Sequence, residues 1–228
     1  MNNNKIYIII PAFNEAQTIG NVLNDLKDKY SNIVVVDDAS DDNTAKIAKS
    51  MGVIVLEHLI NRGQGAALKT GINYALNNKA DVIVTFDADG QHQTDDIEKL
   101  IKPIIEDNFD VTLGSRFLNS DSVKKIPPLK KIILKTGLIF TKAFSHLKIT
   151  DTHNGLRAFS NQAAQKIIIR QDRMAHASEI LDEISRNNIK YKEIPVTIHY
   201  TDYSKSKGQS SLAFGKILFK YFIGKLMK

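Results

Sequence analysis

Two aspartates separated by one residue form the feature of the sequence that most suggests chemistry, in the segment Asp87-Ala88-Asp89-Gly90-Gln91-His92. Both side chains are carboxylates at neutral pH, because an unperturbed aspartate has a pKa of about 3.9. Mg²⁺ and Mn²⁺ prefer oxygen ligands and often take only a few of them from protein, with phosphates supplying others. The spacing therefore favours a divalent cation held by Asp87 and Asp89, with a further oxygen from Gln91. An ordinary polar turn is the alternative.

A second acidic pair occurs in the segment Asp37-Asp38-Ala39-Ser40. A carboxylate here can accept a hydrogen bond from a ribose hydroxyl or from the N–H of a base, and the alternative is a turn that caps the next helix. We predict a binding role for Asp37 and Asp38, and a capping role for Asp41 and Asp42.

Two glycines, Gly63 and Gly65, lie in the segment 61–67, which opens a predicted helix. Glycines permit close approach of a ligand to the backbone, and a helix N-terminus favours anions. A loop with flexible glycines is the alternative. The segment is not a Walker motif, because no Gly-Lys-Ser/Thr occurs at the required spacing.

Charged residues in the second half supply candidates for phosphate binding and proton transfer. The guanidinium groups of Arg116 and Arg157 suit bidentate contact with phosphate, with a salt bridge or a structural role as the alternative. Asp151 is a candidate base. His176 and Glu179 are three residues apart and would share a helix face, as an acid–base unit or with His176 as a cap.

The elements that position these side chains follow from hydrophobic periodicity. Strands are predicted at 6–10, 33–36, 53–56, 82–86 and 111–113, with helices over 15–30, around 45–48, over 65–76 and over 97–105. Strands that are apolar throughout and joined by helices indicate a parallel sheet covered on both faces. Ligands bind at the carboxyl ends of such strands, where the segment 11–15 and both aspartate pairs are expected to meet.

The second half of the chain has a less regular pattern. We predict a basic helix over 130–147, a strand over 156–159, a helix over 177–186, a strand over 194–199 and an amphipathic stretch over 212–227. Pro103 is expected to end the preceding helix loosely. No repeat, low-complexity linker or clear domain boundary interrupts the sequence.

Composition restricts the class of protein. The chain has 228 residues, of which 43% are hydrophobic and 25% charged, which is typical of a folded protein. It contains no cysteine, which excludes disulfide and thiolate chemistry. The formal net charge is +6, and seven lysines but no acidic residue occur between positions 122 and 150. This block suggests an anionic partner, with a solvated helix face as the alternative.

Taken in order, the motifs resemble family 2 glycosyltransferases of the GT-A type. They are PAFNE (11–15), VDDAS (36–40), NRGQGAAL (61–68), DADGQH (87–92), GSR (114–116) and NGLRAF (154–159). Within the family, the pattern is similar to the dolichyl- or polyprenyl-phosphate sugar synthases. The resemblance implies an α/β fold of GT-A type, with a Rossmann-like, mostly parallel central sheet flanked by helices and an acceptor-side second half.

The resemblance also implies roles for the matching residues. The residues expected to bind the sugar donor are Pro11, Phe13, Glu15, Asp37, Gly63, Asp87 and Lys207. Asp87, Asp89 and Gln91 would hold Mg²⁺ or Mn²⁺ together with the donor diphosphate. Arg116 would face the acceptor phosphate, to which we add Arg157. The expected catalytic residues are Asp89, Arg116 and, as a candidate base, Asp151.

The expected reaction is an inverting transfer from a UDP- or GDP-sugar to a polyprenyl- or dolichyl-phosphate lipid. A phosphate oxygen is already anionic near neutral pH, whereas a sugar hydroxyl needs a general base, for which Asp151 and Glu179 are candidates. The lack of an unmistakable base favours the phosphate. The alternatives are transfer to a sugar hydroxyl of a surface polysaccharide, a sugar nucleotidyltransferase and a non-catalytic nucleotide-binding regulatory module. The segment 11–15 lacks the glycine-rich basic loop of a nucleotidyltransferase.

The expected organisation is one domain over 1–211, with a nucleotide-sugar half (1–116) and an acceptor half (117–211), followed by an amphipathic helix over 212–228. This helix and the basic block suggest contact with a membrane surface or a small membrane protein, and packing on the protein's own core is the alternative. The sequence shows no signal peptide and no apolar span, so we expect a cytoplasmic protein, peripheral at the inner face of the membrane. No nucleic-acid partner is expected, because no recognition motif accompanies the lysines.

Overall fold

Apolar, β-branched runs form a seven-stranded sheet in the computed structural model, which describes residues 4–120, 123, 138 and 147–199. The strands are β1 (Ile6–Ala12), β2 (Asn32–Asp37), β3 (Ile54–Glu57), β4 (Val82–Thr85), β5 (Val111–Ser115), β6 (Arg157–Ser160) and β7 (Tyr191–Pro195). The helices are α1 (Ile19–Lys27), α2 (Thr44–Ser50), α3 (Gln64–Asn77), α4 (Asp95–Glu106), α5 (Asn161–Lys166) and α6 (His176–Arg186), and a 3₁₀ turn covers Arg116–Leu118. None of these helices combines the length and apolar character needed to cross a bilayer.

The strand order is β3-β2-β1-β4-β6-β5-β7. Every neighbouring pair is parallel except the two made by β6, which runs antiparallel between β4 and β5. Thr85 near the end of β4 is opposite Arg157 at the start of β6. The loop that precedes β6 therefore lies at the carboxyl edge of the parallel strands, beside the segment that follows β4. The mostly parallel sheet with flanking helices confirms the predicted fold class.

The inner strands of the sheet are buried on both faces, as the uninterrupted apolar runs predict, whereas the edge strands β3 and β7 are partly exposed. In β1, Ile8 and Ile10 pack with residues of α1 and α4, whereas Ile9 packs on the opposite face with residues of α3 and α6. All three isoleucines are fully buried. Strand β1 is thereby fixed from two sides, which holds its carboxyl end in a defined position at the site.

Several predicted boundaries differ from the structure. Pro103 lies inside the last turn of α4, which continues to Glu106, and Pro103 is buried against the core. The predicted strand at 194–199 begins earlier, as β7, and its second half leaves β5, with Ile198 forming an isolated bridge to His92. Helix α5 was not predicted. The predicted helix over 130–147, Lys207 and the stretch 212–228 lie outside the described residues, apart from positions 138 and 147.

A pair of helical glycines gives a matched test of the packing between α3 and β1. A Cβ on Gly71 would clash with Ile9 Cγ2 of β1, whereas the nearest atom to a Cβ on Gly20 in α1 is Ile47 Cγ2 at 3.6 Å, an ordinary contact. We expect Gly71→Ala to lower the free energy of unfolding by about 1–3 kcal/mol through overpacking. Gly20→Ala should leave it unchanged or raise it by up to about 1 kcal/mol, because alanine is the better helix former. Urea denaturation of both variants measures the difference, and equal stabilities would contradict the close packing of α3 on β1.

Candidate active site

A cavity of 1560 Å³ opens at the carboxyl edge of the sheet. It is lined by the residues that follow β1 and β4, by the turn that opens α3, by the loop before β6 and by the segment that precedes α6. Its wall includes eleven residues that the sequence analysis named as candidates: Pro11, Phe13, Glu15, Asp38, Gly63, Asp87, Asp89, Gln91, Arg157, His176 and Glu179. Asp37, Arg116 and Asp151 are not part of the wall, and Lys207 is outside the described residues.

Asp87 lies in the wall of this cavity, where three parts of the chain meet. Its Oδ1 accepts a hydrogen bond from Gln64 Nε2 (3.0 Å), and its Oδ2 lies 3.0 Å from Nε2 of His92. Gly155 covers the carboxylate so closely that any side chain there would overlap both oxygens. Burial by itself raises the pKa of Asp87, but the hydrogen bond and charge of His92 outweigh it and lower the pKa below its usual value. Asp87 is therefore an anion at neutral pH.

Asp89 has a different environment from Asp87. Burial, followed by the negative charge of Asp87, raises the pKa of Asp89 above its usual value. The backbone N–H of Gln91 donates to Asp89 Oδ1 (3.0 Å), and the side-chain amide of Gln91 donates to Oδ2. The two partly buried carboxylates of Asp87 and Asp89 thus lie close enough to repel each other.

The residues present fit a hard divalent cation. Each oxygen of Asp87 accepts one hydrogen bond and keeps a second lone pair, and the side-chain oxygen of Gln91 remains available. A cation would also offset the repulsion between Asp87 and Asp89. The described part of the chain holds no group of three or more histidine, aspartate or glutamate side chains that could hold a metal ion. Asp87, Asp89 and Gln91 would therefore supply part of the ligand shell and leave the rest to phosphate oxygens or water.

The two aspartates at the carboxyl end of β2 serve different purposes. Asp37 closes a turn, because its carboxylate accepts hydrogen bonds from Ser40 Oγ (2.6 Å) and Ser40 N (3.0 Å). Asp38 lines the cavity and accepts hydrogen bonds from the backbone N–H groups of Gly63 (2.6 Å) and Arg62 (3.0 Å). His58 Nδ1 lies 2.6 Å from the same carboxylate. Asp38 therefore fixes the loop before α3, and contact of Asp37 with the sugar donor remains a prediction.

The glycines at the start of α3 allow the segment 171–173 to pack closely against the helix. A Cβ on Gly63 would lie 2.6 Å from the carbonyl oxygen of Asp172, and one on Gly65 would clash with the carbonyl oxygen of Gln171. The N–H of Ala66 donates to the Asp172 carbonyl (3.0 Å), so this part of the helix N-terminus is occupied. The segment 171–173 therefore packs against both glycines, and Gly65 is not part of the cavity wall. Gly63 also lines the cavity, so its role in binding the sugar donor remains a prediction.

Arg116 and Asp151 form a buried ion pair beside the cavity. Arg116 Nε donates to Asp151 Oδ2 (2.6 Å), and the backbone N–H of Arg116 donates to the same oxygen (3.2 Å). The side chains are only 7% and 1% exposed. Arg116 Nη2 also donates to the carbonyl of His153, a residue in the cavity wall (3.2 Å). The pair braces the wall in this structure, and its expected catalytic roles remain predictions.

The guanidinium of Arg157 donates to three backbone carbonyls, those of Asn154 (3.0 Å), Thr152 (3.1 Å) and Ala177 (3.3 Å). Burial lowers the pKa of Arg157 to about 10, so the group remains a cation at neutral pH. Arg157 therefore joins the loop before β6 to α6 and contributes positive charge to the cavity. Contact of Arg157 with an acceptor phosphate remains a prediction.

Sequence analysis missed several residues of the site. Gln64 and His92 lie inside recognised motifs, and their spacing gives no sign that both would bond to Asp87. The segment 170–175 lines one side of the cavity, although it has no strand or helix periodicity to draw attention to it. Glu179 holds this segment, because its Oε2 accepts hydrogen bonds from the N–H groups of Arg170 (2.9 Å) and Gln171 (2.8 Å).

Comparisons with known proteins agree with this geometry. The family model for Glycosyl transferase family 2 matches residues 7–168. A Methanococcus voltae protein named UDP-N-acetylglucosamine--dolichyl-phosphate N-acetylglucosaminyltransferase is 38% identical, over 98% of this chain and 97% of the relative. An uncharacterized Methanocaldococcus jannaschii protein, MJ1222, is 44% identical, over 99% of this chain and 94% of the relative.

The fold is also found among solved structures. Glucosyl-3-phosphoglycerate synthase from Mycobacterium tuberculosis, in complex with Mn²⁺, UDP-glucose and phosphoglyceric acid, superposes with a TM-score of 0.70 at 16% identity. The match covers 96% of this chain and 80% of that chain. At this identity, the likeness extends to the fold alone.

Proposed function

The chain belongs to glycosyl transferase family 2, and from this we propose that it is an inverting enzyme that transfers a sugar from a nucleotide-sugar donor to a polyprenyl- or dolichyl-phosphate lipid. Relatives that align over most of this chain are named dolichyl-phosphate N-acetylglucosaminyltransferase, undecaprenyl-phosphate mannosyltransferase and dolichyl-phosphate β-glucosyltransferase. Each of these names specifies a lipid phosphate, and the names differ in the sugar that is transferred.

One observation carries the proposal: the partly buried carboxylates Asp87 and Asp89 share a single cavity with the residues that follow β1 and with Asp38. In a parallel sheet, the nucleotide occupies the carboxyl edge, which is where Phe13 and Asp38 lie. The two carboxylates lie farther along the same cavity, where the diphosphate and the sugar would follow. A single continuous wall can therefore hold a whole nucleotide sugar.

We propose that Asp87, Asp89 and Gln91 hold Mg²⁺ or Mn²⁺ together with the donor diphosphate. When bound, the cation supplies positive charge that stabilises the nucleoside diphosphate as a leaving group. The carboxylate of Asp87 would set the position of the cation, because Gln64 and His92 hold that carboxylate in place. The acceptor oxygen attacks the anomeric carbon from the face opposite the diphosphate, so the anomeric configuration is inverted.

The state of the candidate bases supports a phosphate acceptor. Asp151 is bound to Arg116, and Glu179 accepts two backbone N–H bonds, so each carboxylate already has cationic or N–H partners. These bonds occupy Asp151 Oδ2 and Glu179 Oε2, so neither oxygen is placed to take a proton from a sugar hydroxyl. A lipid phosphate needs no base, since its oxygen is already an anion near neutral pH.

Further parts of the proposal concern the donor and the location. A UDP-sugar is the first donor to test, because the 38% identical relative is named for UDP-N-acetylglucosamine. We propose that Lys207 contacts this donor, and that the helix over 212–228 and the basic block place the protein at the inner face of the membrane. The net charge of +6 supports association with an anionic surface.

The deciding experiment measures transfer to matched acceptors. Purified protein is incubated with radiolabelled UDP-N-acetylglucosamine, UDP-glucose or GDP-mannose and Mn²⁺ or Mg²⁺, with a short-chain polyprenyl phosphate or the corresponding polyprenol. We expect product with one donor, only with the phosphate, and none after EDTA treatment. Product with the polyprenol or a sugar hydroxyl alone would replace the proposed acceptor. A parallel thermal-shift screen detects donor binding, since ligand at 100 times its Kd adds about 2.7 kcal/mol of stability, and absence of both transfer and shift would overturn the proposal.

A further inference from the structure

His176 is a buried histidine in the cavity wall to which the proposed reaction gives no role. It is the first residue of α6, it is 5% exposed, and it lines the cavity. Its Nδ1 lies 2.9 Å from the carbonyl oxygen of Arg173. Because a carbonyl oxygen only accepts hydrogen bonds, Nδ1 must carry the proton in this contact. In a neutral imidazole, Nε2 is then an acceptor with a free lone pair.

The imidazole is neutral at physiological pH. Burial, together with the positive charge of Arg157, lowers the pKa of His176 to about 4, against the smaller opposing effects of the Arg173 carbonyl and Asp87. Within the described part of the chain, no hydrogen bond to Nε2 is formed. Among the described residues, the fully buried side-chain nitrogen atoms without a hydrogen-bond partner are His92 Nδ1 and Asn154 Nδ2. His176 Nε2 is not one of them, so it is accessible from the cavity. The acceptor lone pair therefore remains open to the cavity.

The backbone holds this acceptor in a fixed place. Gly65 at the start of α3 lies so close that a Cβ there would be 2.9 Å from His176 Cβ. Gln64, which precedes Gly65, donates to Asp87, and the carbonyl of Ala177, which follows His176, accepts from Arg157 Nη1 (3.3 Å). His176 is thus in the part of the cavity where, under the proposed function, the sugar follows the diphosphate.

We propose that His176 recognises the transferred sugar, with the neutral Nε2 accepting a hydrogen bond from one sugar hydroxyl. This inference rests on the proposed function. Ionised phosphate oxygens have no proton to donate, so a lone acceptor cannot bind the diphosphate or the lipid phosphate. A sugar hydroxyl is the donor group available at this end of the cavity. His176 is in this sense a residue that determines specificity for the donor sugar, without taking a proton from the acceptor.

Two substitutions distinguish the contribution of Nδ1 from that of Nε2. In His176→Asn, the amide N–H takes the place of Nδ1–H and can still donate to the Arg173 carbonyl, while the acceptor at the Nε2 position is lost. In His176→Gln, the longer side chain can place its oxygen near the Nε2 position. We expect kcat/KM for the nucleotide sugar to fall about 10- to 100-fold in His176→Asn with an unchanged melting temperature, because a hydrogen bond at a specific site has been removed. His176→Gln should recover most of kcat/KM.

A purely structural role for His176 predicts the reverse order. Asparagine would then keep both the melting temperature and kcat/KM, and glutamine would lower both, since only the contact with Arg173 would matter. That result would overturn the proposal.

Monodeoxy donors identify the hydroxyl. The wild-type enzyme should lose the same 10- to 100-fold in kcat/KM with one monodeoxy UDP-sugar, and His176→Asn should show no further loss with that compound. With the other deoxy donors, the variant should remain impaired relative to wild type. Equal losses in wild type and variant for every deoxy donor would show no coupling and would contradict the inference.

A binding measurement keeps this test separate from the proposed function. UDP alone should raise the melting temperature of wild type and His176→Asn equally, whereas the UDP-sugar should add a further increase only in wild type. If wild type shows this additional increase but no transfer is detected, the proposed lipid-phosphate acceptor is wrong and the role of His176 stands. No additional increase in wild type over the variant would overturn the role of His176, whatever the transfer assay shows.

Discussion

Asp89→Asn should lower kcat/KM about 1000-fold, because loss of a carboxylate that helps to hold the charge on the leaving group removes several kcal/mol of transition-state stabilisation. The melting temperature of the metal-free protein should stay unchanged or rise. Burial and the charge of Asp87 disfavour the ionised form of Asp89 in the folded protein, as the raised pKa shows, and asparagine removes this penalty. Steady-state kinetics and thermal denaturation of the same preparation measure both effects.

Asp95→Asn is the control for this experiment. Asp95 lies six positions further along the chain, and its side chain is 76% exposed and paired with Lys29 at the surface. A surface pair of this kind contributes little to stability. Its substitution should leave activity and melting temperature unchanged. Activity of a folded Asp89→Asn variant within tenfold of wild type would contradict the assignment of Asp89.

Arg116→Met should lower the free energy of unfolding by about 3–5 kcal/mol, since it leaves Asp151 buried without its cationic partner. The double variant Arg116→Met/Asp151→Leu should recover most of this loss, because an apolar pair of similar volume needs no charge compensation. Urea denaturation of the two single variants and the double variant gives the coupling energy between the two side chains.

This cycle also decides how Arg116 acts in the reaction. If the ion pair only braces the wall, activity should follow stability, and the folded double variant should be active. A double variant that is stable but has a much higher KM for the polyprenyl phosphate would instead support direct contact of Arg116 with the acceptor, as the sequence motif suggests. A single variant Arg116→Met with wild-type stability would contradict the buried ion pair.

The elements of the first half could be predicted because their signals are local. The strands β1, β2 and β4 are continuous apolar runs, and α1 repeats buried residues at helical spacing. The second half depends on contacts between distant residues. The stretch 194–199 has the alternation of a strand, yet its second half bonds elsewhere: Thr197 N donates to Asp96 Oδ2 (2.7 Å) and His199 N to Gln91 O (2.9 Å). Helix α5 has six residues, too few for a clear period.

The site shows the same division. Asp87 and Asp89 could be located because their spacing and their place after a strand are visible in the sequence. The pairing of Arg116 with Asp151 spans 35 positions and could not be inferred from either residue alone. Asp37 and Asp38 are adjacent and of the same type, so only the structure distinguishes the carboxylate that closes a turn from the one that holds the Gly63 loop.

The antiparallel strand β6, placed between β4 and β5, determines the order in which the sheet can assemble during synthesis. On the ribosome, β1 to β4 emerge early, and their mutual pairings can form as soon as they appear. Strand β5 emerges next, but both strands that it pairs with, β6 and β7, are made much later. Until then, β4 and β5 have open edges, which are the parts of a nascent sheet most prone to aggregation. The nucleotide side of the enzyme is thus built first, and the site is closed last, when the loop before β6 and the segment before α6 arrive to complete its wall.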